Sequence, residues 1–235
     1  MSFIKMKRSI IPACDVPNLK LLEKLVKETC KVKGIGGYKI GFELVIPFGI
    51  KEVIKTIKKY TNLPIIYDHQ KAATDIPEMG EKFMKAIKGV DSVILFPMAG
   101  PITEGKWIKA AFKERLHVIV GGDMTHKGYL ERGGGFISNM APKQIFKIAA
   151  NLGVRDFVVP GNKPFMINEY RRFLESFGLK PIFYSPGLIA QGGSLTEGAK
   201  AAGEHWHAIV GRAIYNAKNM KKAAEQLVAV LEKSE

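Results

Sequence analysis

Three charged side chains follow a short apolar run, residues 64–67, that is typical of a buried strand. They are Asp68, Lys71 and Asp75, and Pro77 then opens a helical pattern. Because ionised groups leave water only beside a partner or with a shifted pKa, charges at this spacing are unfavourable to bury. A charged amine between carboxylates suits electrostatic stabilisation and proton transfer. The segment therefore predicts a functional site, and the simpler alternative is a buried ion pair of Asp68 with Lys71.

A second candidate site combines glycines with an arginine near the C-terminal end. Residues 185–194 leave a predicted strand through a glycine-rich turn and enter a helix at Ser194, with Glu197 completing a capping box. Glycines let backbone N–H groups approach an anion, a helix N-terminus adds a favourable dipole, and an arginine supplies a forked cationic donor. We expect these residues to bind a phosphate: Pro186, Gly187, Gln191, Gly192, Gly211 and Arg212.

Apolar runs rich in β-branched residues alternate with helical patterns along the whole chain. The predicted strands are 9–16, 37–41, 64–71, 92–98, 117–123, 156–160, 181–185 and 207–211. The predicted helices are 19–30, 49–60, 77–88, 104–114, 142–151, 164–177, 194–202 and 219–233. Nearly continuous apolar strands joined by helices imply an α/β fold whose parallel sheet is covered on both faces. Eight such units predict a single (β/α)8 TIM barrel domain over residues 1–235, and a doubly wound open sheet is the competing fold.

A barrel would bring the polar residues that interrupt the apolar runs to one rim. Active residues of such barrels stand at the C-terminal ends of the strands and in the loops that follow. Asp15 follows the apolar residues 10–14 of the first predicted strand, and Lys39 lies in the second. Asp68 closes the third strand together with Lys71, and Thr125 follows the fifth. The glycine-rich segments after the seventh and eighth strands occupy the usual phosphate position in barrels.

Composition limits the classes of partner. The formal net charge is +14, which raises the question of nucleic acid, but the lysines are dispersed at helical spacing on several predicted helices. We therefore expect a phosphorylated small molecule; a basic nucleic-acid-binding protein that keeps only the phosphate pocket is the alternative. No apolar run approaches the roughly 18 residues that span a bilayer, so we expect no membrane association and a cytoplasmic location. Cys14 and Cys30 lack metal-like spacing.

The ordered motifs resemble the orotidine 5′-phosphate decarboxylase family over almost the whole chain. The most specific parts are Pro186-Gly187-Leu188-Ile189-Ala190-Gln191-Gly192-Gly193 and Val210-Gly211-Arg212-Ala213-Ile214-Tyr215. The resemblance implies a TIM barrel that dimerises around shared active sites. It implies decarboxylation of orotidine 5′-monophosphate (OMP) to UMP, the last step of making UMP, with no metal or organic cofactor.

The resemblance also implies catalytic roles. Lys71 would donate a proton to C6 of the pyrimidine as carbon dioxide leaves, and Asp68 would hold Lys71 near the departing carboxylate. Lys39 would link this charge array to the ribose. Asp75 would reach into the site of the neighbouring subunit.

Further positions would bind the substrate. Asp15 corresponds to an acceptor for a ribose hydroxyl, Thr125 to a hydroxyl residue that touches the pyrimidine, and Ile76 follows Asp75 in the shared segment. Gln191, Gly211 and Arg212 belong to the phosphate grip in this resemblance.

The charged segment departs from the family pattern in its spacing. The family has Asp-x-Lys-x-x-Asp, which puts the first acid and the lysine on one face of a strand. Here each interval is one residue longer, so we expect a bulge or a strand that ends before Lys71. Met79 stands where the family tends to have threonine. The alternative enzyme is a Mg²⁺-dependent sugar-phosphate decarboxylase or aldolase, which would need further carboxylates at the rim.

Overall fold

The computed structural model describes residues 3–70 and 72–233. Within these residues the strands are β1 (Arg8–Pro12), β2 (Tyr38–Gly41), β3 (Ile65–Asp68), β4 (Ser92–Leu95), β5 (His117–Gly121), β6 (Asp156–Val158), β7 (Ile182–Ser185) and β8 (Trp206–Val210). The helices are α1 (Leu19–Thr29), α2 (Phe42–Phe48), α3 (Ile50–Lys58), α4 (Met79–Ala86), α5 (Pro101–Lys113), α6 (Ala141–Asn151), α7 (Pro164–Glu175), α8 (Leu195–Ala202), α9 (Arg212–Tyr215) and α10 (Met220–Glu232). A 3₁₀ turn covers Glu131–Gly133.

The strands form one parallel sheet in the order β1-β8-β7-β6-β5-β4-β3-β2. The remaining edge, between β1 and β2, is joined by backbone hydrogen bonds. Cys14 N donates to Lys39 O at 2.7 Å, and Ile10 N donates to Gly34 O at 2.9 Å. The sheet therefore closes on itself, which confirms the predicted barrel and excludes the open doubly wound sheet.

The predicted strands are confirmed, but most of them end earlier than expected. β3 ends at Asp68 and not at residue 71, and β5 ends at Gly121 and not at residue 123. The polar residues that follow these strands therefore lie in the loops of the rim and not in the sheet. Two short helices, α2 and α9, were not predicted. Gly49, with φ +74°, separates α2 from α3, so the helical segment after β2 starts before the predicted boundary.

Alternation along the strands divides the core into two layers. Ile11, Ile66, Ile94 and Ile209 are buried inside the barrel, where they pack with Ile119. Their immediate neighbours along the strands point outward and pack beneath the surrounding helices. Successive side chains of a strand point to opposite faces, so an apolar run on every strand fills both layers.

Side-chain caps mark the starts of α1 and α8. Asn18 caps α1 by accepting a hydrogen bond from Leu21 N at 2.9 Å. Ser194 caps α8 by accepting one from Glu197 N at 3.3 Å, which confirms the predicted helix start. Within the described part of the chain, no helix has the length and apolar character to cross a membrane.

A polar cluster closes the N-terminal end of the barrel. Ser9 Oγ lies 2.7 Å from Nδ1 of His207, whose ring packs against Tyr184 at 4.8 Å between centroids. The Tyr184 hydroxyl donates to Asp156 Oδ1 at 2.8 Å. Burial lowers the pKa of His207 to about 3, with a smaller contribution from the charge of His205. The fold therefore requires a neutral imidazole at this position.

This requirement predicts an acid-sensitive contribution to stability. Because the folded pKa of His207 lies near 3 and the ordinary value is 6.5, its contribution is fully present above pH 6.5 and is lost as the pH falls from 6.5 towards 3. In this pH range, unfolding of the wild-type protein takes up about one proton at His207. His207→Leu should therefore lower the slope of the free energy of unfolding against pH by about 1.4 kcal/mol per pH unit. Urea unfolding between pH 7.5 and pH 4.5 measures this slope, with His126→Leu, which changes an exposed histidine away from His207, as the control. Equal slopes for wild type and His207→Leu would contradict the assignment.

Candidate active site at the C-terminal rim of the barrel

A cavity of about 250 Å³ opens at the C-terminal ends of the strands. It is lined by nine of the residues predicted from the sequence, namely Asp15, Lys39, Asp68, Thr125, Pro186, Gly187, Gln191, Gly211 and Arg212. Gln70, Asp123 and Tyr215 also line it. The first strands carry its acidic and basic groups, and the last strands carry its glycines and arginine. Its two sides therefore differ in chemistry.

An ion-paired array of three side chains forms the wall next to β1, β2 and β3. Lys39 Nζ lies 3.0 Å from Asp15 Oδ1 and 3.3 Å from Asp68 Oδ2. Lys39 and Asp68 point inward because they share the parity of the interior residues, Asp68 being two positions after Ile66. The Lys39 side chain is 6% exposed, whereas those of Asp15 and Asp68 are 33% and 18% exposed. The acids are thus open to the cavity and the amine is almost covered.

The two acids keep Lys39 charged. Burial alone lowers its pKa, but the charges of Asp68 and Asp15, together with hydrogen bonds to both, more than offset burial and raise the pKa above its ordinary value. Lys39 is therefore a permanent cation that holds both carboxylates in place.

The chain leaves the strand immediately after Asp68. Gln70 and Ala73 adopt positive φ angles of 54° and 71°, which non-glycine residues rarely do. The backbone N–H of Gln70 donates to Asp68 Oδ1 at 2.9 Å. Side chains alternate along a strand, so in a strand that continued past Asp68 position 71 would face away from the barrel interior. The positive φ angles at Gln70 and Ala73 end the strand, and this alternation then no longer applies. The strand ends before Lys71, which is one of the two arrangements expected from the longer spacing, although the predicted strand ran to residue 71. Lys71 itself lies outside the described residues.

Asp75 and Ile76 do not line the cavity of their own chain. Asp75 is exposed, and its Oδ1 accepts a hydrogen bond from Ile76 N at 2.7 Å. Ile76 is 58% exposed although it is aliphatic. Their backbone is fixed, because Thr103 Oγ1 donates to Asp75 O at 3.2 Å and Trp107 Nε1 donates to Ile76 O at 3.2 Å. A rigid backbone thus presents an acid and an apolar side chain outward.

The glycine-rich loop and Arg212 form the opposite wall. Gly187 has φ +86°, and a Cβ atom there would lie 2.5 Å from Thr125 Cγ2, so only glycine fits. Gln191 and Arg212 line the cavity beside it, whereas Gly192 lies in the loop outside the lining. Arg212 is exposed, and no carboxylate of the described residues pairs with it. The cavity therefore has a free guanidinium and close backbone approach on one side, as an anion requires.

Asp123 is a second buried acidic residue at the rim, and it was not identified from the sequence. The Asp123 side chain is fully buried and accepts hydrogen bonds from Lys163 Nζ at 3.1 Å and from the Tyr170 hydroxyl at 2.9 Å. Lys163 Nζ also donates to Met124 O at 2.6 Å, and Asn162 Nδ2 donates to Thr125 O at 2.9 Å. This network holds the loop that carries Thr125. The position of Asp123 after β5 was the available signal, although its partners come from a later loop and helix.

The potential for metal binding is limited by pairing of the acids. In the described ranges, no group of three or more His, Cys, Asp or Glu side chains is placed to hold a metal ion. Asp15 and Asp68, which line the cavity and are partly exposed, share Lys39 as their cation. The arrangement supplies fixed charges on one side and an anion grip on the other.

Comparison with known proteins identifies the family of this arrangement. A profile described as the orotidine 5′-phosphate decarboxylase / HUMPS family matches residues 8–227. The orotidine 5′-phosphate decarboxylase of Methanococcus maripaludis is 31% identical over 215 residues, covering 91% of this chain and 93% of that protein. That of Methanocaldococcus jannaschii is 32% identical over 200 residues, covering 85% and 88%.

Solved structures agree in fold. The crystal structure of the Methanocaldococcus jannaschii orotidine 5′-monophosphate decarboxylase complexed with the inhibitor BMP matches with a TM-score of 0.83 at 29% identity. The match covers 95% of this chain and 98% of that chain. The matched profile thus spans the strands that build the cavity, from β1 to β8. The chain belongs to the orotidine 5′-phosphate decarboxylase / HUMPS family.

Proposed function

We propose that this protein converts orotidine 5′-monophosphate to UMP and carbon dioxide, a step of pyrimidine biosynthesis. The observation that carries this proposal is the opposition, across one cavity, of the Asp15–Lys39–Asp68 array and the wall formed by Gly187, Gln191 and Arg212. Family membership and relatives named for this activity support it. The enzyme is accordingly a carboxy-lyase.

The reaction needs electrostatic stabilisation of a carbanion. The bond between C6 and the carboxylate carbon breaks, carbon dioxide leaves, and the electron pair stays on C6, where no ring carbonyl is placed to accept it. A charged ammonium close to C6 stabilises this pair and then delivers a proton. We assign this role to Lys71, because it follows Asp68 in the segment that the family resemblance identifies.

Asp68 is suited to hold such a donor because it is itself held. Its Oδ2 pairs with Lys39 and its Oδ1 accepts from Gln70 N, so its orientation is set before substrate binds. In this proposal Asp68 keeps Lys71 charged and lies near the substrate carboxylate, while Asp15 accepts a ribose hydroxyl. Groups arranged in advance avoid reorganisation during the reaction.

The phosphate end would supply binding free energy far from the reacting carbon. In this proposal Arg212 and Gln191 bind the phosphate together with the backbone N–H groups of Gly187 and Gly211. Pro186 and Gly192 shape the loop instead, because Pro186 has no N–H group and Gly192 N donates to Ile189 O at 3.0 Å. Thr125 contacts the pyrimidine from the loop held by Asp123. Interactions with a non-reacting part of a substrate position the reacting part, so they lower the barrier as well as KM.

A homodimer with shared sites would account for the exposure of Asp75 and Ile76. Asp75 and Ile76 are exposed on a backbone fixed by Thr103 and Trp107. Another exposed apolar side chain, Ile46 at 71%, follows the neighbouring strand β2 at the same rim. We propose that a second copy covers this rim and receives Asp75 and Ile76 in its cavity. A cytoplasmic location stays a prediction.

The Mg²⁺-dependent sugar-phosphate alternative is not favoured. The family description includes HUMPS members, but the relatives reported above are named orotidine 5′-phosphate decarboxylases. In this chain the cation between the rim acids is Lys39.

The first test is turnover of orotidine 5′-monophosphate, followed by loss of its absorbance. We expect turnover that is unchanged by EDTA. Lys71→Ala should lower kcat by at least about 10³-fold, because the proton donor and the cation are both lost, while UMP binding should change little. Turnover abolished by EDTA, or unchanged in Lys71→Ala, would contradict the mechanism.

Arg212→Ala tests the phosphate wall. Loss of a charge-assisted hydrogen bond to phosphate should weaken UMP binding by about 10- to 100-fold, with little effect on binding of the nucleoside uridine. Arg155→Ala, which removes an exposed arginine next to β6 at the opposite end of the barrel, is the control. Calorimetric titration measures each affinity, and equal loss for UMP and uridine would remove Arg212 from the phosphate grip.

Mixing two inactive variants tests the shared site. If Asp75 acts in the neighbouring subunit, Asp75→Asn and Lys71→Ala should each be nearly inactive alone. Exchanged dimers would then contain one intact site among their two. At equal amounts the mixture should recover about a quarter of wild-type activity, from random pairing in a two-fold dimer. Turnover that stays at the level of the separate variants after subunit exchange would place Asp75 outside the partner's site.

A further inference from the structure

A groove separate from the active cavity lies between the N-terminal part of α5 and helix α6. Its volume is about 410 Å³, within the range of small-molecule sites. It is lined by Pro97, Met98, Gly100, Pro101, Glu104, Ala141, Gln144, Ile145, Lys147 and Ile148. Apart from Glu104, Gln144 and Lys147, these side chains are apolar or absent. The groove is therefore an apolar slot with few polar groups.

Glu104 is a buried acid whose carboxyl group is only partly hydrogen-bonded. The residue is 1% exposed, and its Oε1 is buried without a hydrogen-bond partner in residues 3–70 and 72–233. Burial raises the pKa of Glu104 to about 8, and a backbone hydrogen bond from Ala149 offsets only part of this effect. Buried carboxyl groups are normally paired or fully hydrogen-bonded. A residue such as leucine would fill this space between two helices more favourably.

The charged groups around Glu104 do not satisfy it. Lys147 lines the same groove from α6, but neither a hydrogen bond nor an ion pair links it to Glu104 within the described chain. On the α4 side of α5, Lys106 and Lys113 pair with Glu78 and Glu81. None of these cations therefore pairs with Glu104 within the described residues.

We propose that this groove binds a small, largely apolar molecule that carries one protonated amine, whose N–H groups donate to Glu104. The apolar walls would cover the body of the ligand, and the ammonium would supply the partner that the carboxylate lacks. An alcohol of the same shape would offer a hydrogen bond but no charge, so it would bind more weakly. The groove and the active cavity share no lining residue, so the proposed site is separate from that of the proposed decarboxylation.

Calorimetric titration with benzylamine tests the proposal, with benzyl alcohol as the uncharged probe. We expect saturable millimolar binding of benzylamine to the wild-type protein and at least tenfold weaker binding of benzyl alcohol. Glu104→Gln, which keeps the shape of the side chain, should weaken benzylamine at least tenfold. Glu114→Gln at the other end of α5 is the matched control and should leave affinity unchanged. Retained turnover of orotidine 5′-monophosphate by Glu104→Gln would show that this variant is folded.

The pH dependence gives a second readout. Because Glu104 must ionise to pair with the ammonium and its pKa lies near 8, benzylamine should bind about tenfold more weakly at pH 6 than at pH 7, and several-fold more tightly at pH 8. The absence of saturable binding, equal binding by Glu104→Gln, equal binding of the alcohol, or affinity independent of pH would each overturn the assignment.

Discussion

The rest of the site depends on the ion pairs that the almost covered Lys39 forms with Asp15 and Asp68. Its amine, carried by β2, lies 3.0 Å from Asp15, which follows β1, and 3.3 Å from Asp68 at the end of β3. A buried ammonium is tolerated only because both acids face it. The two carboxylates in turn can stand side by side only because a cation separates them. This mutual requirement keeps charge at a place where an apolar core would otherwise continue.

Barrel closure makes that interaction possible. The array requires β1 to lie next to β2. The hydrogen bond from Cys14 N to Lys39 O joins the two segments immediately before Asp15. Below the array, Ile11 and Ile66 fill the barrel interior. The apolar layer excludes water from beneath the charges, so their field acts on whatever occupies the cavity above them.

The opposite wall is organised by backbone geometry more than by side-chain charge. Gly187 approaches Thr125 too closely for any side chain, which brings the loop after β7 against the loop after β5. Asp123 and Lys163 hold the Thr125 loop from behind. One wall therefore presents fixed charges, and the other presents a glycine-rich loop and a guanidinium. A molecule with a reactive ring and a distant phosphate is complementary to both walls at once.

The sequence by itself determined the eightfold alternation of strand and helix, and with it the rim at which Asp15, Lys39, Asp68 and Arg212 meet, because these follow from periodicity and from the position of polar residues at strand ends. It did not determine where each strand stops, the reversal at Gln70 and Ala73, or the pairing of Asp123 with Lys163 and Tyr170. The unpaired carboxyl of Glu104 was equally hidden, since its helical position alone does not say that α6 covers it. Local pattern reports what one segment prefers, whereas contacts between segments distant in sequence exist only once closure of the barrel has brought them together.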